Sequence, residues 1–210
     1  MIGTRRSAAL AAAGALVFTA AGVVPASAEV WRHSDARKDV MRVDTTGPDD
    51  VYTKAPANRS SDITKLVVRH TTKRVILRMH LRDINAASGQ NLYRVVTGST
   101  EFEMAQLLGD EEPTNPRAAR LAPFYIAENG NDEVDCPGAT STVDRRHDVA
   151  RLSVPRACIG RPAWVRVGGA TVDYNNEGYV FADSAKVKGF PKNTEGEDDL
   201  LVLGRRVHRG

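Results

Sequence analysis

ITKLVVRHTTKRVILRMHL, residues 63–81, alternates apolar and polar side chains with a period of two in each of its halves. This period is typical of β-strands with one buried face, and the break near Thr72-Lys73 predicts an antiparallel hairpin. A two-residue turn would place Val68 opposite Leu77 on the buried face. Because Thr72-Lys73 lacks the Asn-Gly chemistry of tight hairpin turns, a slightly longer loop stays open.

Further short strands are predicted along the chain, separated by clusters of Gly, Pro, Asn and Asp. They cover residues 38–43, 93–97, 101–107, 124–127, 140–143, 149–154, 164–167 and 179–181. Strands this short and this frequent favour an all-β fold, an antiparallel β-sandwich with a single domain. Residues 188–210 are polar and rich in turn formers, so we expect a mobile C-terminal tail after a sandwich domain of residues 29–187, with docking of residues 200–203 as an edge strand left open.

Residues 1–28 have the build of a secretory signal peptide. Arg5-Arg6 precede an apolar run over residues 8–24, and small residues (Pro25-Ala26-Ser27-Ala28) precede Glu29. We therefore expect an extracellular protein that begins at Glu29, exported by the general secretory route, with no membrane span after the leader. Loss of the leader changes the charge balance from 29 basic against 26 acidic residues to 27 against 26. A balance this even disfavours nucleic acid as a specific partner.

Cys136 and Cys158 are the two cysteines of the chain. An even pair in an exported protein predicts a disulfide. The pair flanks a second predicted hairpin around residues 145–148, so the bond would tie the two ends of that hairpin together.

Two segments of the chain resemble secreted proteins of high-GC Gram-positive (actinobacterial) bacteria that have no known activity. DITKLVVRH (62–70) followed by RVILRM (74–79) is similar to their opening hairpin, and VPRACIG (154–160) with WVRV (164–167) resembles a second block. The Asp62-Ile63 start also resembles that of DOMON-like sandwiches, which bind sugars or haem. This resemblance implies a jelly-roll-like or DOMON-like sandwich, although no haem-ligand pattern can be matched to residues of this chain.

The polar face of the first hairpin is strongly basic. If both strands are regular, it carries Lys65, Arg69, Arg74, Arg78, His80 and Arg82. Such a face would bind an acidic partner, such as a cell-wall polyanion or an acidic glycan. The alternative is a solvated sheet face whose charges discourage aggregation or pair with acids on a neighbouring strand.

Acidic and amide residues cluster in three loops, and calcium is the cofactor that such loops would bind. The first cluster comprises Asp44, Asp49 and Asp50. None of the clusters has the spacing of a helix-loop-helix calcium site, and the same residues are common in turns, so both interpretations stay open.

Catalytic motifs are missing from the sequence. There is no Gly-x-Ser-x-Gly elbow and no His-Glu-x-x-His zinc pattern. We therefore favour an exported binding or surface-interaction module, with a polysaccharide or a secreted protein as its partner. A secreted hydrolase of polymers is the first alternative, and it would need paired carboxylates in a cleft. A secreted inhibitor that presents the loop of residues 144–148 is the second.

Overall fold

The computed structural model describes residues 28–84, 89–109, 120–121, 124–130, 132–174, 178–187 and 200–210, and the predicted signal peptide therefore lies almost wholly outside the described residues. Strands dominate these parts of the chain. They are β1 (Glu29–Ser34), β2 (Met41–Asp44), β3 (Val51–Lys54), β4 (Ile63–His70), β5 (Arg74–Leu81), β6 (Gln90–Val96), β7 (Glu101–Leu107), β8 (Arg120–Leu121), β9 (Phe124–Glu128), β10 (Asp132–Glu133), β11 (Thr140–Asp144), β12 (Val149–Pro155), β13 (Trp164–Tyr174), β14 (Tyr179–Ser184) and β15 (Val207–His208).

Two antiparallel sheets form a sandwich. The first sheet has the strand order β1-β4-β5-β12-β11-β8, and the second has the order β10-β9-β7-β6-β13-β14-β2-β3, with β15 paired to the start of β13. The predicted all-β, single-domain antiparallel sandwich is confirmed. Within the described residues, no helix is long and apolar enough to cross a bilayer.

The β4–β5 hairpin has the register that the sequence predicts. Val68 pairs with Leu77, and both side chains are fully buried between the sheets. The turn is the short one, because the backbone N–H of Thr71 donates to the carbonyl of Arg74 at 2.9 Å. The Thr71 hydroxyl also accepts the backbone N–H groups of Lys73 and Arg74, at 3.2 and 2.8 Å. This side chain therefore holds a tight turn that has no Asn-Gly pair.

The second hairpin and its disulfide are also confirmed. β11 and β12 pair from Thr140 with Ser153 to Asp144 with Val149, leaving a four-residue loop. The Cys136–Cys158 disulfide lies beyond the open end of this hairpin and encloses a loop with a sequence separation of 22. On the chain-entropy model, a loop of that size contributes about 3 kcal/mol to stability.

The C-terminal residues differ from the predicted mobile tail. Leu200, Leu201 and Val207 are buried, and Val207 joins the main core. β15 pairs with the start of β13 through Val165–Val207 and Trp164–His208. The mobile-tail prediction is therefore corrected for residues 200–210. Leu200 and Leu201 dock, as the open alternative allowed, but they do so outside any strand.

Candidate functional site on the outer face of the first sheet

The outer face of β4 and β5 brings together four of the six residues that the sequence places on the basic face. Arg69 and Arg78 are exposed, whereas Lys65 and His80 are half-buried. Lys65 pairs directly with His80 across the two strands. The alternation of the hairpin causes this placement, because the residues between them point into the core.

The strands on either side of the hairpin add further cations to this face. β1 pairs with β4 so that Arg32 lies opposite Val67, and β12 pairs with β5 so that Arg151 lies directly opposite Arg78. Like charges at directly opposed positions destabilise a sheet. Pairing with acids on a neighbouring strand was one alternative that the sequence left open, and these two strands place arginines on the face instead. We call Arg32, Lys65, Arg69, Arg78, His80 and Arg151 the basic face.

Three arginines of the basic face surround a shallow depression of about 430 Å³. Arg32, Arg69 and Arg78 come from three adjacent strands, and the apolar lining between them is Val30, Val67 and Ile76, together with Ala28, the last residue of the predicted leader. Within the described part of the chain, no carboxylate forms an ion pair with any of these three arginines. The depression therefore combines an apolar floor with a rim of uncompensated positive charge.

The pKa shifts on this face arise first from burial and then from the neighbouring cations. Burial, with smaller contributions from Lys65 and Arg78, lowers the pKa of His80 below its usual value. Burial, followed by the charges of Arg78 and Arg74, lowers the pKa of Arg151 in the same way. His80 is therefore neutral at pH 7, and the arginines with Lys65 carry the charge of the face.

Two residues predicted for this face are tied down elsewhere. Arg82 follows the end of β5, its side chain is only 13% exposed, and it forms an ion pair with Asp62 at 2.6 Å. Its guanidinium also donates to the carbonyl of Asn58 at 2.9 Å. Arg74 donates to the Ser153 hydroxyl at 2.7 Å. Arg82 is thus a structural cation and not part of the basic face, because the strand alternation ends before it.

The predicted calcium residues do not come together. Asp44 accepts the backbone N–H and the hydroxyl of Thr46, at 3.0 and 2.6 Å, which lowers its pKa. Asp49 and Asp50 are exposed. Within the described residues, one group of acids has carboxylate oxygens close enough to share a metal ion. It consists of Asp35, Asp39 and Asp183 and includes none of the predicted residues. The turn-forming role of Asp44 explains this part of the sequence.

The loop proposed as an inhibitor element is held against the body of the domain. Arg145 donates to the carbonyls of Ile84 and Leu108, at 2.8 and 3.0 Å. Asp148 accepts the backbone N–H of Ile84 at 3.0 Å. The disulfide lies at the opposite end of the hairpin, so it does not brace this loop directly.

No family model, curated protein or solved structure matches the chain. The resemblance to actinobacterial secreted proteins and to DOMON-like sandwiches therefore stays a prediction. The function has to be argued from the geometry and the charge of the site itself.

Proposed function

We propose that this protein is an exported, non-catalytic binding module whose basic face holds an anionic polysaccharide. One observation carries the proposal. Arg32, Arg69 and Arg78 converge from three adjacent strands around an apolar depression, and no described acid neutralises them. A purely solvated face would gain stability from acids at the neighbouring positions, yet Arg78 faces Arg151.

The chemistry of the depression favours carboxylated or sulfated sugars. A guanidinium group binds a carboxylate or sulfate with two parallel hydrogen bonds, and three such groups at one rim select an anionic ligand. The floor of Val30, Val67 and Ile76 offers C–H groups to the apolar side of a sugar ring. Among the residues that the structure describes, no aromatic ring lines it, and single-stranded nucleic acids depend on such a stacking platform.

The size and shape of the site favour a polymer. A volume of about 430 Å³ lies within the range of small-ligand sites. The cations continue beyond it to Arg151 on β12, three strand spacings from Arg32 on β1, or about 14 Å across the sheet. An extended anionic chain lying across the strands would therefore contact more of the basic face than a single sugar.

The proposal is tested by measuring binding of the purified protein to an immobilised anionic polysaccharide, with a neutral dextran as the reference. The test variant is Arg69→Glu combined with Arg78→Glu. The control is Arg146→Glu combined with Arg161→Glu, two exposed arginines away from the face, which changes the net charge equally. We expect the wild type and the control to bind the anionic polymer at low salt and the test variant to lose at least 10-fold in affinity. Binding should weaken as salt screens the rim charges.

Two results contradict the proposal. Equal loss in the test and control variants would show that net charge, and not the basic face, causes retention. Equal binding to dextran and to the anionic polymer would refute the arginine rim as the recognition element. Unfolding curves of the two double variants show whether a loss of binding is caused by unfolding. Because the substituted side chains are exposed, we expect both variants to be nearly as stable as the wild type.

A further inference from the structure

Arg78 and Arg151 form a pair of like charges within the basic face. They lie directly opposite each other on the adjacent strands β5 and β12. Both side chains point away from the core, because the residues next to them, Leu77 and Leu152, are fully buried. Side chains at directly opposed positions of an antiparallel pair are about 5 Å apart at Cβ. The sheet therefore holds two guanidinium groups side by side on one surface.

The six positions that adjoin this pair on the face carry no carboxylate. They are two positions across the strands and four along them, namely Val67, Ile76, His80, Thr142, Val149 and Ser153. Within the part of the chain that the structure describes, neither guanidinium forms an ion pair. Like charges at opposed positions destabilise a sheet, and an external anion between them would relieve this repulsion.

An acid, Asp144, lies at a diagonal position next to the pair, but its contacts are made elsewhere. Thr142 pairs with Arg151, and Asp144 is two residues further along β11. The Asp144 carboxylate forms a hydrogen bond with the His147 ring at 2.7 Å, which lowers the pKa of Asp144. It also accepts the backbone N–H of Arg146 at 3.1 Å. Asp144 thus stabilises its own loop, and its ion pair is with His147.

The number of free oxygens decides which anion two adjacent guanidinium groups can hold together. One guanidinium makes two parallel hydrogen bonds and so engages both oxygens of a carboxylate. A second guanidinium then finds only the outward lone pairs of the same two oxygens. A sulfate ester or a phosphate monoester has three free oxygens in a tetrahedral arrangement. Two guanidinium groups can therefore each bind such an ester group through two oxygens, with one oxygen shared.

We propose that Arg78 and Arg151 together bind a sulfate or phosphate ester group of the anionic polysaccharide in preference to a carboxylate. Because the pair belongs to the basic face, this inference rests on the proposed function, and it narrows the ligand to a glycan that carries tetrahedral ester groups. The bound ester replaces the repulsion between the two arginines with charge-assisted hydrogen bonds to both. A phosphodiester has only two free oxygens, so the pair gives nucleic acid no such advantage.

Arg32 lies in the same row across the sheet but stands apart from the pair. It is opposite Val67, and Val67 is opposite Arg78. Two strand spacings, about 10 Å, therefore separate Arg32 from Arg78. A single guanidinium engages a carboxylate as fully as an ester group. Arg32 should thus contribute affinity for any anionic polymer without distinguishing between them.

The test compares three polymers with one backbone, namely dextran sulfate, phosphorylated dextran and carboxymethyl dextran, matched in anionic groups per sugar. Affinity for the purified protein is measured at pH 7 and constant ionic strength, where the carboxylates are ionised. We expect the wild type to bind both ester polymers at least about 10-fold more tightly than carboxymethyl dextran. Sulfate and carboxylate groups each carry one charge, so their comparison separates the number of oxygens from the charge. The tighter of the two ester polymers identifies the preferred ester.

The site variant is Arg151→Gln, and the matched control is Arg32→Gln, which removes the same charge from the same row. In Arg151→Gln, the preference for ester groups should disappear. In Arg32→Gln, all three polymers should bind more weakly by a similar factor, and the preference should remain. The preference is a ratio measured on one preparation, so partial unfolding of a variant lowers all three affinities alike and leaves the ratio unchanged.

Three results overturn the inference. Equal affinity for dextran sulfate and carboxymethyl dextran would show that the number of oxygens does not matter, even if phosphorylated dextran binds more tightly. A preference that survives in Arg151→Gln, or that is lost in Arg32→Gln as well, would show that the pair does not make the selection. If none of the charged polymers binds better than neutral dextran, the proposed function fails too, whereas equal binding of the sulfate and carboxylate polymers leaves that function intact.

Discussion

The substitution Gly168→Ala should detach the C-terminal segment from the second sheet. Gly168 lies in the middle of β13, and a Cβ placed there would be 2.2 Å from the carbonyl oxygen of Leu201. The obstacle is backbone and cannot rotate away. Residues around Leu201 would have to retreat by more than 1 Å to reach an ordinary contact distance of about 3.4 Å.

The loss of free energy of unfolding follows from the contacts that this movement breaks. Gly204 donates its N–H to the carbonyl of Val167 at 2.9 Å, and the Gly204 carbonyl accepts a hydrogen bond from Arg166 at 2.9 Å. Each bond contributes about 1 kcal/mol net. Partial exposure of Leu201, which is only 6% exposed, adds about 1 kcal/mol. We therefore expect a loss of about 3 kcal/mol in the free energy of unfolding.

Urea unfolding followed by tryptophan fluorescence measures this loss. The Trp31 ring packs against Gly204, so its emission reports whether the segment is docked. Gly98→Ala is the matched control, because its Cβ would meet only the Trp164 ring at 3.9 Å, and we expect a change below about 0.5 kcal/mol. If Gly168→Ala and Gly98→Ala unfold at the same urea concentration, the segment does not pack on β13 as described.

Two further predictions concern the first sheet. Leu77→Lys should unfold the domain, because it places a charge at a fully buried position. Arg78→Glu on the opposite, exposed face should lower the free energy of unfolding by less than about 1 kcal/mol. Circular dichroism distinguishes the folded from the unfolded variant, and equal effects would mean that the two faces are assigned wrongly. His70 is fully buried and donates from Nδ1 to the carbonyl of Val207 at 3.0 Å, and burial, followed by the charges of Arg156 and Arg209, lowers its pKa. Below pH 6.5 the unfolded chain therefore takes up a proton that the folded His70 resists, so acidification favours unfolding. The free energy of unfolding of the wild type relative to that of His70→Asn should fall by up to about 1.4 kcal/mol per pH unit. A difference between the two proteins that stays constant from pH 7.5 to 5 would rule this out.

The architecture could be predicted because alternation is a local signal. Each of the predicted strands corresponds to an observed one, and β7 (Glu101–Leu107) has the predicted bounds. β1 and β3 were missed for different reasons. β1 alternates, with Val30 outward and Trp31 inward, but the boundary of the leader obscured it. β3 is four residues long and has no buried side chain, so it carries no periodic signal.

The residues of the candidate site were predicted only in part, because the sequence assigns a residue to a strand but does not show which strand lies beside it. The cations of the hairpin follow from its register alone. Arg32 and Arg151 join them only through the pairing of β1 with β4 and of β12 with β5. A search for alternating arginines in every predicted strand would have found Arg151.

The group formed by Asp35, Asp39 and Asp183 had no sequence signal of its own. Its members are spread from residue 35 to residue 183 and follow no ligand spacing. The loop that attracted attention, with Asp44 and its neighbours, has the acidic composition of a calcium site but not the convergence. Composition identifies groups that are close along the chain, whereas this cluster is formed by the crossing between two sheets.

The meeting of β1 with the last described strand has a consequence for how the molecule is made. The Glu29 carboxylate accepts the backbone N–H of His208, so groups 179 positions apart complete one corner of the sandwich. Closure over such a distance is slow, and a growing chain must wait for its latest residues before the layers seal. Until residue 208 has been synthesised the chain lacks this contact, so the edge formed by β1 can be completed only at the end of translation.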